Sequence, residues 1–254
     1  MATSYFRNFS TVGYQFGNAE NAVLFDQLTQ YISVLDDTLH NVAVLEKYTV
    51  MAGERPDTLS FKLYNTVDHY WSFFLMNEHI RESGWALPSY DLLEEIKIRY
   101  PHRTITTNSD MSTDDGSVEL FPIGQVVEGE SSGTEGTIIR KIPEMGQVII
   151  DTGGDTFNPD ELLSYTPTEG NKKVLQLIAE SSQHNSVHHY EDTDGVHQDL
   201  TLFDFGNPSA SWIPVTYSDR VEKKNEELKE IVIIKPEAID AIATEFKKQM
   251  KRRL

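Results

Sequence analysis

The sequence predicts an α+β protein in three parts: a small βααβ-type module, an inserted small antiparallel β module, and a C-terminal hairpin, strand and helix. Three observations lead there. Between Tyr48 and Pro88 a short β run is followed by a Gly53 turn and helix-patterned stretches. Between Val118 and Tyr165 short β-rich runs recur at roughly ten-residue spacing, separated by glycines. From Val187 onward, an Asp194-Gly195 hairpin signal precedes an Ile231-Val232-Ile233-Ile234 run and an amphipathic stretch.

Met1 to Gly17 reads as extended, with Phe6, Phe9, Tyr14 and Phe16 buried or facing a partner. Leu24 to Leu39 fits two periods. Leu24, Leu28, Tyr31, Leu35 and Leu39 suit a helix, while Gln30-Tyr31-Ile32-Ser33-Val34 alternates like a strand. Tyr48-Thr49-Val50 reads as a strand closed by the Gly53 turn. Pro56, whose fixed φ suits a first helical position, opens a short helix with Leu59 and Leu63 on one face. Thr66 is expected to cap a second helix from Val67 to Asn77, with Trp71, Phe74 and Leu75 inward and Phe73 left to a separate contact. A third starts at Ser89. Leu92, Leu93, Ile96 and Tyr100 form its stripe, Glu95 pairs with Arg99, and Pro101 ends it.

Residues 102–117 are polar and read as a linker. Val118-Glu119-Leu120-Phe121, Gln125-Val126-Val127, Thr137-Ile138-Ile139 and Gln147-Val148-Ile149-Ile150 then read as strands of a small barrel or meander. The glycines between them precede no helix and stand among acids, so they fit turns and not a phosphate cradle. Val174 to Ala179 is an apolar run without a decisive period. Ser218 is expected to cap a polar helix ending near Leu228. Pro236 opens a final helix with Ile239, Ile242, Phe246 and Met250 on one side. The expected organisation is an extended arm over 1–47, an α/β module over 48–101, an acidic barrel-like insert over 112–165, and hairpin, strand and helix over 184–254.

Composition narrows the function classes. The net charge, 22 − 40 = −18, repels nucleic-acid phosphates and anionic membranes. No apolar run reaches the roughly 18 residues of a membrane span, and the N-terminus lacks a charged-then-apolar leader, so a soluble, non-secreted protein is expected. With no cysteine, disulfides and thiolate metal sites are excluded. The charge is uneven. Residues 110–161 hold twelve acids against Arg140 and Lys141, whereas Lys247, Lys248, Lys251, Arg252 and Arg253 form a basic end. That end is either a solvated helix terminus or a dock for an acidic partner surface.

The histidine-rich segment contains His184, His188, His189, Glu191, Asp192, His197 and Asp199. A two-residue turn at Asp194-Gly195 sets Asp192 opposite His197, Tyr190 opposite Asp199 and His188 opposite Thr201. His189 and Glu191 then fall on the other face, so the cluster disperses and no metal site is expected. No cysteine nucleophile or Gly-x-Ser-x-Gly elbow is present, and no pair of carboxylates is singled out. The expectation is no enzymatic activity, no catalytic residue and no cofactor. Trp71 reads as core, Trp85 and Trp212 as possible stacking platforms, and Trp212 as the surface candidate of the three.

Tyr48, Val50, Gly53, Leu59, Tyr64, Trp71 and Asn77 stand where a LysM module carries its pattern residues, so the first part resembles a LysM-like βααβ-type module. Gly53-Glu54-Arg55-Pro56-Asp57-Thr58-Leu59-Ser60, Tyr70-Trp71, Leu75-Met76-Asn77 and Gly84-Trp85 resemble a narrower family. That family is baseplate wedge protein 53 of T-even-like contractile-tailed phages. Asn225 to Ile234 and the helix after it are similar to that family's C-terminus, so the likeness covers roughly 1–100 and 184–254; the 112–165 insert lies outside it. The resemblance implies a structural subunit of the virion's tail baseplate, made in the host cytoplasm and present in six copies. It would join other wedge subunits, a sheath-initiator-like subunit among them. Termini that pack on other chains are expected, with Phe6, Phe9, Tyr14, Trp212, Lys247, Lys248, Lys251, Arg252 and Arg253 as contacts. The alternatives are a peptidoglycan- or chitin-binding module and, behind it, a cell-wall hydrolase.

Overall fold

The structure is a computed structural model that describes residues 11–17, 22–26, 42–107, 120–168, 170–200 and 208–252. Among these the chain is mixed α/β, with six α-helices and several small antiparallel sheets. It begins with strands β1 (Thr11–Tyr14), β2 (Val23–Asp26) and β3 (Leu45–Thr49). Helices α1 (Pro56–Tyr64), α2 (Trp71–Met76), α3 (Glu78–Ser83) and α4 (Ser89–Arg99) follow. Next come β4 (Arg103–Thr106), β5 (Val126–Gly129), β6 (Glu135–Ile142), β7 (Gln147–Asp151), β8 (Leu162–Tyr165), β9 (Lys173–Gln176) and β10 (Ala179–Ser182). The chain closes with β11 (Val187–Glu191), β12 (His197–Gln198), β13 (Ile213–Thr216), α5 (Tyr217–Glu227), β14 (Glu230–Ile234) and α6 (Pro236–Arg252). These elements form two compact units, residues 1–89 with 224–254, and residues 90–223.

In the first unit β3 pairs antiparallel with β14, 181 residues away, in the register Thr49↔Glu230 to Leu45↔Ile234. Leu59, Phe73, Ile80, Ile231 and Ile233 form its core, with Tyr48, Leu63, Phe74 and Trp85 packed around them. Thr58 organises the start of α1: its hydroxyl accepts from Arg55 N–H at 3.0 Å and donates to Arg55 C=O at 2.8 Å. Asn65, left-handed at φ 55°, stops the helix, and the Thr66 hydroxyl accepts from Asp68 N–H to start the next turn.

The expected single helix from Val67 to Asn77 is instead a 3-10 turn, Val67–His69, then α2; α3 follows after Asn77. The rotation this introduces leaves Trp71 buried as expected but changes its neighbours. Phe73 is completely buried, while Phe74 and Leu75 are only half-buried. On α4, Leu92 and Ile96 are buried but Leu93 is exposed. The C-terminal helix also departs from expectation: Ile239, Ala243 and Phe246 are buried in their own unit, and Phe246 stacks on Trp71 with centroids 4.6 Å apart.

The second unit contains a seven-stranded antiparallel sheet of order β10-β4-β7-β6-β5-β8-β9. Laid flat, its six spacings would span about 29 Å. Yet the two edge strands, β9 and β10, are joined by Leu177 and Ile178 alone. Three Cα steps reach at most about 11 Å. The sheet therefore curls until its edges meet, and Leu177 N–H bonds Glu161 C=O on one side while Ile178 N–H bonds Thr106 C=O on the other. Ile105, Val127, Ile138, Val148, Ile150, Leu163 and Leu175 fill the interior.

The 102–117 stretch read as linker contributes β4, because Ile105 points into that interior despite its polar neighbours. The apolar run from Val174 resolves as β9 and β10. Leu120 and Phe121 are not a strand: Phe121 has φ 52° and buries its ring edge-on to Tyr165. At Gly146 (φ 61°) the loop before β7 passes so close to Thr107 that a Cβ would sit 2.4 Å from its carbonyl oxygen. Only glycine meets both demands. Buried Glu161 fastens two further loops by accepting from Ser131 N–H, Ser132 N–H, Asn158 N–H and both serine hydroxyls.

A separate three-stranded sheet, β12-β11-β13, belongs to this unit. Thr216, not Ser218, caps the helix that follows. Its hydroxyl accepts from Asp219 N–H at 3.0 Å, and the Asp219 carboxylate accepts from Thr216 N–H at 2.9 Å. Ser218 donates to His184 C=O instead.

Candidate functional site

Two local irregularities gather titratable side chains at one end of the β11–β12 hairpin of the second unit. The first is the turn between β11 and β12, which is longer than the expected two residues. Asp192 accepts from both Asp194 N–H and Val196 N–H at 2.9 Å, which shapes a five-residue connection. The register becomes Glu191↔His197 and Tyr190↔Gln198. Asp192 is therefore not opposite His197, and Tyr190 is not opposite Asp199. A one-residue slip exchanges the faces of a strand, so His189, Glu191 and His197 share one face where dispersal was expected.

The second irregularity is a β-bulge against β13. Val187 pairs with Thr216 and His189 with Val215, so His188 is the extra residue. Consecutive residues of a regular strand point to opposite faces, and a bulge relaxes that rule. Here it lets the His188 and His189 Nδ1 atoms approach to 3.0 Å, with the rings perpendicular at 5.1 Å. His197 stacks on His189 almost parallel, with centroids 4.5 Å apart. His188 meets the Tyr217 ring edge-on at 4.8 Å.

The three histidines line a cavity of about 360 Å³ whose other walls include Ile142, Glu144, Met145, Tyr190, Asp199 and Leu200. Carboxylates fix the outer ring nitrogens: Glu191 lies 3.4 Å from His189 Nε2, and Asp199 lies 2.8 Å from His197 Nε2. Lys223 holds Glu191 from the far side at 3.0 Å, and that contact keeps its carboxyl below the usual range. Burial pushes His188 down to about 4, aided by the positive charges of Arg220 and Arg140 and by the neighbouring rings. Burial also lowers His189, more than Glu191 raises it. Both rings are neutral at pH 7.

Among the described residues no three His, Asp or Glu side chains converge as a metal site. Among the described residues the cavity walls carry no serine, threonine or cysteine hydroxyl or thiol. Imidazoles in this setting can take up and pass on protons.

The expected contact residues lie apart from it. Phe6, Phe9 and Arg253 fall outside the described residues. Tyr14 is exposed on the β1–β2 hairpin and meets Phe16 edge-on at 4.8 Å. Trp212 is half-buried, 6.4 Å from the Tyr190 ring. Lys247 and Lys248 are exposed on α6, where Lys248 pairs with Glu245 at 3.3 Å; Lys251 and Arg252 belong to its last turn. Of the other tryptophans, Trp71 is buried, and Trp85 packs on Phe73 and Phe74 while its indole N–H donates to Glu54 C=O at 2.7 Å.

The class defined is thus a mixed α/β chain of two units with a half-buried histidine cluster. Neither a protein-family model nor a curated protein matches it.

Proposed function

We propose that the protein is a non-enzymatic structural subunit of the tail baseplate wedge of a contractile-tailed phage, joining wedge subunits in six copies around the hub. The observation that carries this reading is how the two stretches of resemblance, Tyr48–Pro88 and Asn225–Ile234, join. Asn77 grips Val232 through both amide atoms, and the Tyr64 hydroxyl donates to Ile234 C=O at 2.8 Å. Asn225 grips Leu87 in the same way, at 2.8 and 3.0 Å. The residues that resemble the wedge family are thus the ones that tie distant chain segments into one unit, as a shared fold requires. With Trp71 and Trp85 in that core, neither is free to stack on a sugar. A LysM-like arrangement, used as a joint and not as a sugar reader, is the form this reading takes.

Co-expression with the baseplate wedge subunits of a contractile-tailed phage tests the proposal. A stable complex in size-exclusion chromatography is expected, with the sheath-initiator-like subunit in it. A chain that stays alone with every wedge subunit and sediments with peptidoglycan sacculi overturns it in favour of wall binding.

A further inference from the structure

We propose that the His188–His189–His197 cluster is an acid-sensitive latch that holds the β11–β12–β13 sheet closed at neutral pH and releases it on acidification. The geometry that carries this is three imidazoles in series across a bulge and a hairpin, His188 on His189 and His189 on His197. Glu191 takes the N–H of His189 Nε2, which leaves His189 Nδ1 as an acceptor. His188 Nδ1 must then be the donor across 3.0 Å. That bond holds one proton between two nitrogens. A proton added at His189 Nδ1 sets N–H against N–H, and one on each ring leaves no acceptor between them. The parallel stack with His197, at 4.5 Å, adds a third ring whose charging repels the other two.

The groups facing the cluster favour the neutral state. On β11 itself Glu191 is shared with Lys223 of α5. On β12 and just after it, His197 pairs with Asp199, whose side chain is almost fully exposed. From α5, Tyr217 presents its ring, and Arg220 and, from β6, Arg140 act on His188 with positive charge. Glu144 and Tyr190 complete the titratable wall of the cavity. The charges that bear most on His188 are cationic, so a proton there has no counter-ion at hand.

The sign follows from linkage. A histidine whose folded value is depressed loses stability as pH falls from its released value of 6.5 toward about 4. At pH 5 this ring alone shifts the opening equilibrium about 20-fold relative to pH 7. Opening would expose the cavity walls Ile142, Met145 and Leu200.

Hydrogen exchange of the full chain tests the latch, with rates corrected for the intrinsic pH dependence. Between pH 7 and pH 5, amides of 187–198 are expected to lose protection about 20-fold while those of 135–151 stay unchanged. His188→Gln is expected to flatten the pH response. An equal response in wild type and H188Q, or a uniform loss across 90–223, overturns the latch. Should H188Q not fold, NMR titration of the wild-type imidazoles decides instead: His188 below pH 5 supports the latch, and His188 near 6.5 overturns it.

Discussion

Asn77 and Val232 are joined by two hydrogen bonds: the Asn77 amide donates to Val232 C=O and accepts from Val232 N–H, each at 2.8 Å. The same amide nitrogen also donates to Phe73 C=O at 2.8 Å, which closes the end of α2. One buried side chain therefore stands in for a neighbouring strand and a helix stop together. Asn77→Ala leaves the Val232 pair unmet and is expected to cost about 2–4 kcal/mol, because buried unpaired backbone groups are expensive. Urea denaturation with an unchanged slope measures it. A loss under about 0.5 kcal/mol would mean that the clasp contributes little.

Tyr64 ties α1 to the end of β14, and burial pushes its phenol up to about 12. The neutral form is the one the fold prefers. Its contribution is whole below pH 10 and is lost as pH rises through about 12. Ultraviolet titration of the native protein should find one tyrosine ionising that late, absent in Tyr64→Phe. That variant should also lose about 1 kcal/mol at neutral pH.

Glu161 is expected to stabilise the barrel in the opposite pH sense. Burial works to raise its pKa, but the Ser132 N–H and hydroxyl, with the Asn158 and Ser131 N–H groups, outweigh it and hold the carboxyl below 4.5. The stabilisation is present above pH 4.5 and lost as pH falls through the lowered value. Glu161→Gln turns one acceptor into a donor among donors. Melting curves should register a loss of about 2 kcal/mol at pH 7 that narrows at pH 3. A constant difference would contradict the carboxylate's role.

Trp71 and Phe246 join α2 to α6. Trp71→Ala is expected to cost about 3–5 kcal/mol and to free amides of 236–246 to exchange with solvent, whereas Trp212→Ala should change stability by less than about 1 kcal/mol. If Trp212→Ala instead weakens the co-purified wedge complex, that tryptophan is a partner contact of the proposed assembly.

Local chemistry was legible wherever it is short-ranged. Pro56, Thr66 and Pro236 mark helix limits in the sequence because fixed φ and hydroxyl capping act within one turn. The barrel interior was legible in part, since Val148 and Ile150 alternate inward whatever their partner strands. Burial on α2 was misread, because the break at Tyr70 resets the helical phase and the sequence does not mark it.

By itself, then, the sequence determined the α+β class, the helix starts at Pro56, Ser89 and Pro236, several of the strands, and the absence of thiol chemistry. Only the tertiary structure decided which strands meet and which histidines touch. The β3–β14 pairing spans most of the chain, and a two-fold side-chain period cannot say which distant strand supplies the partner. The histidine cluster depends on one extra residue at His188 and on a turn that Asp192 lengthens to five. Each moves the register by a single position, and a single position decides the face on which every later side chain falls.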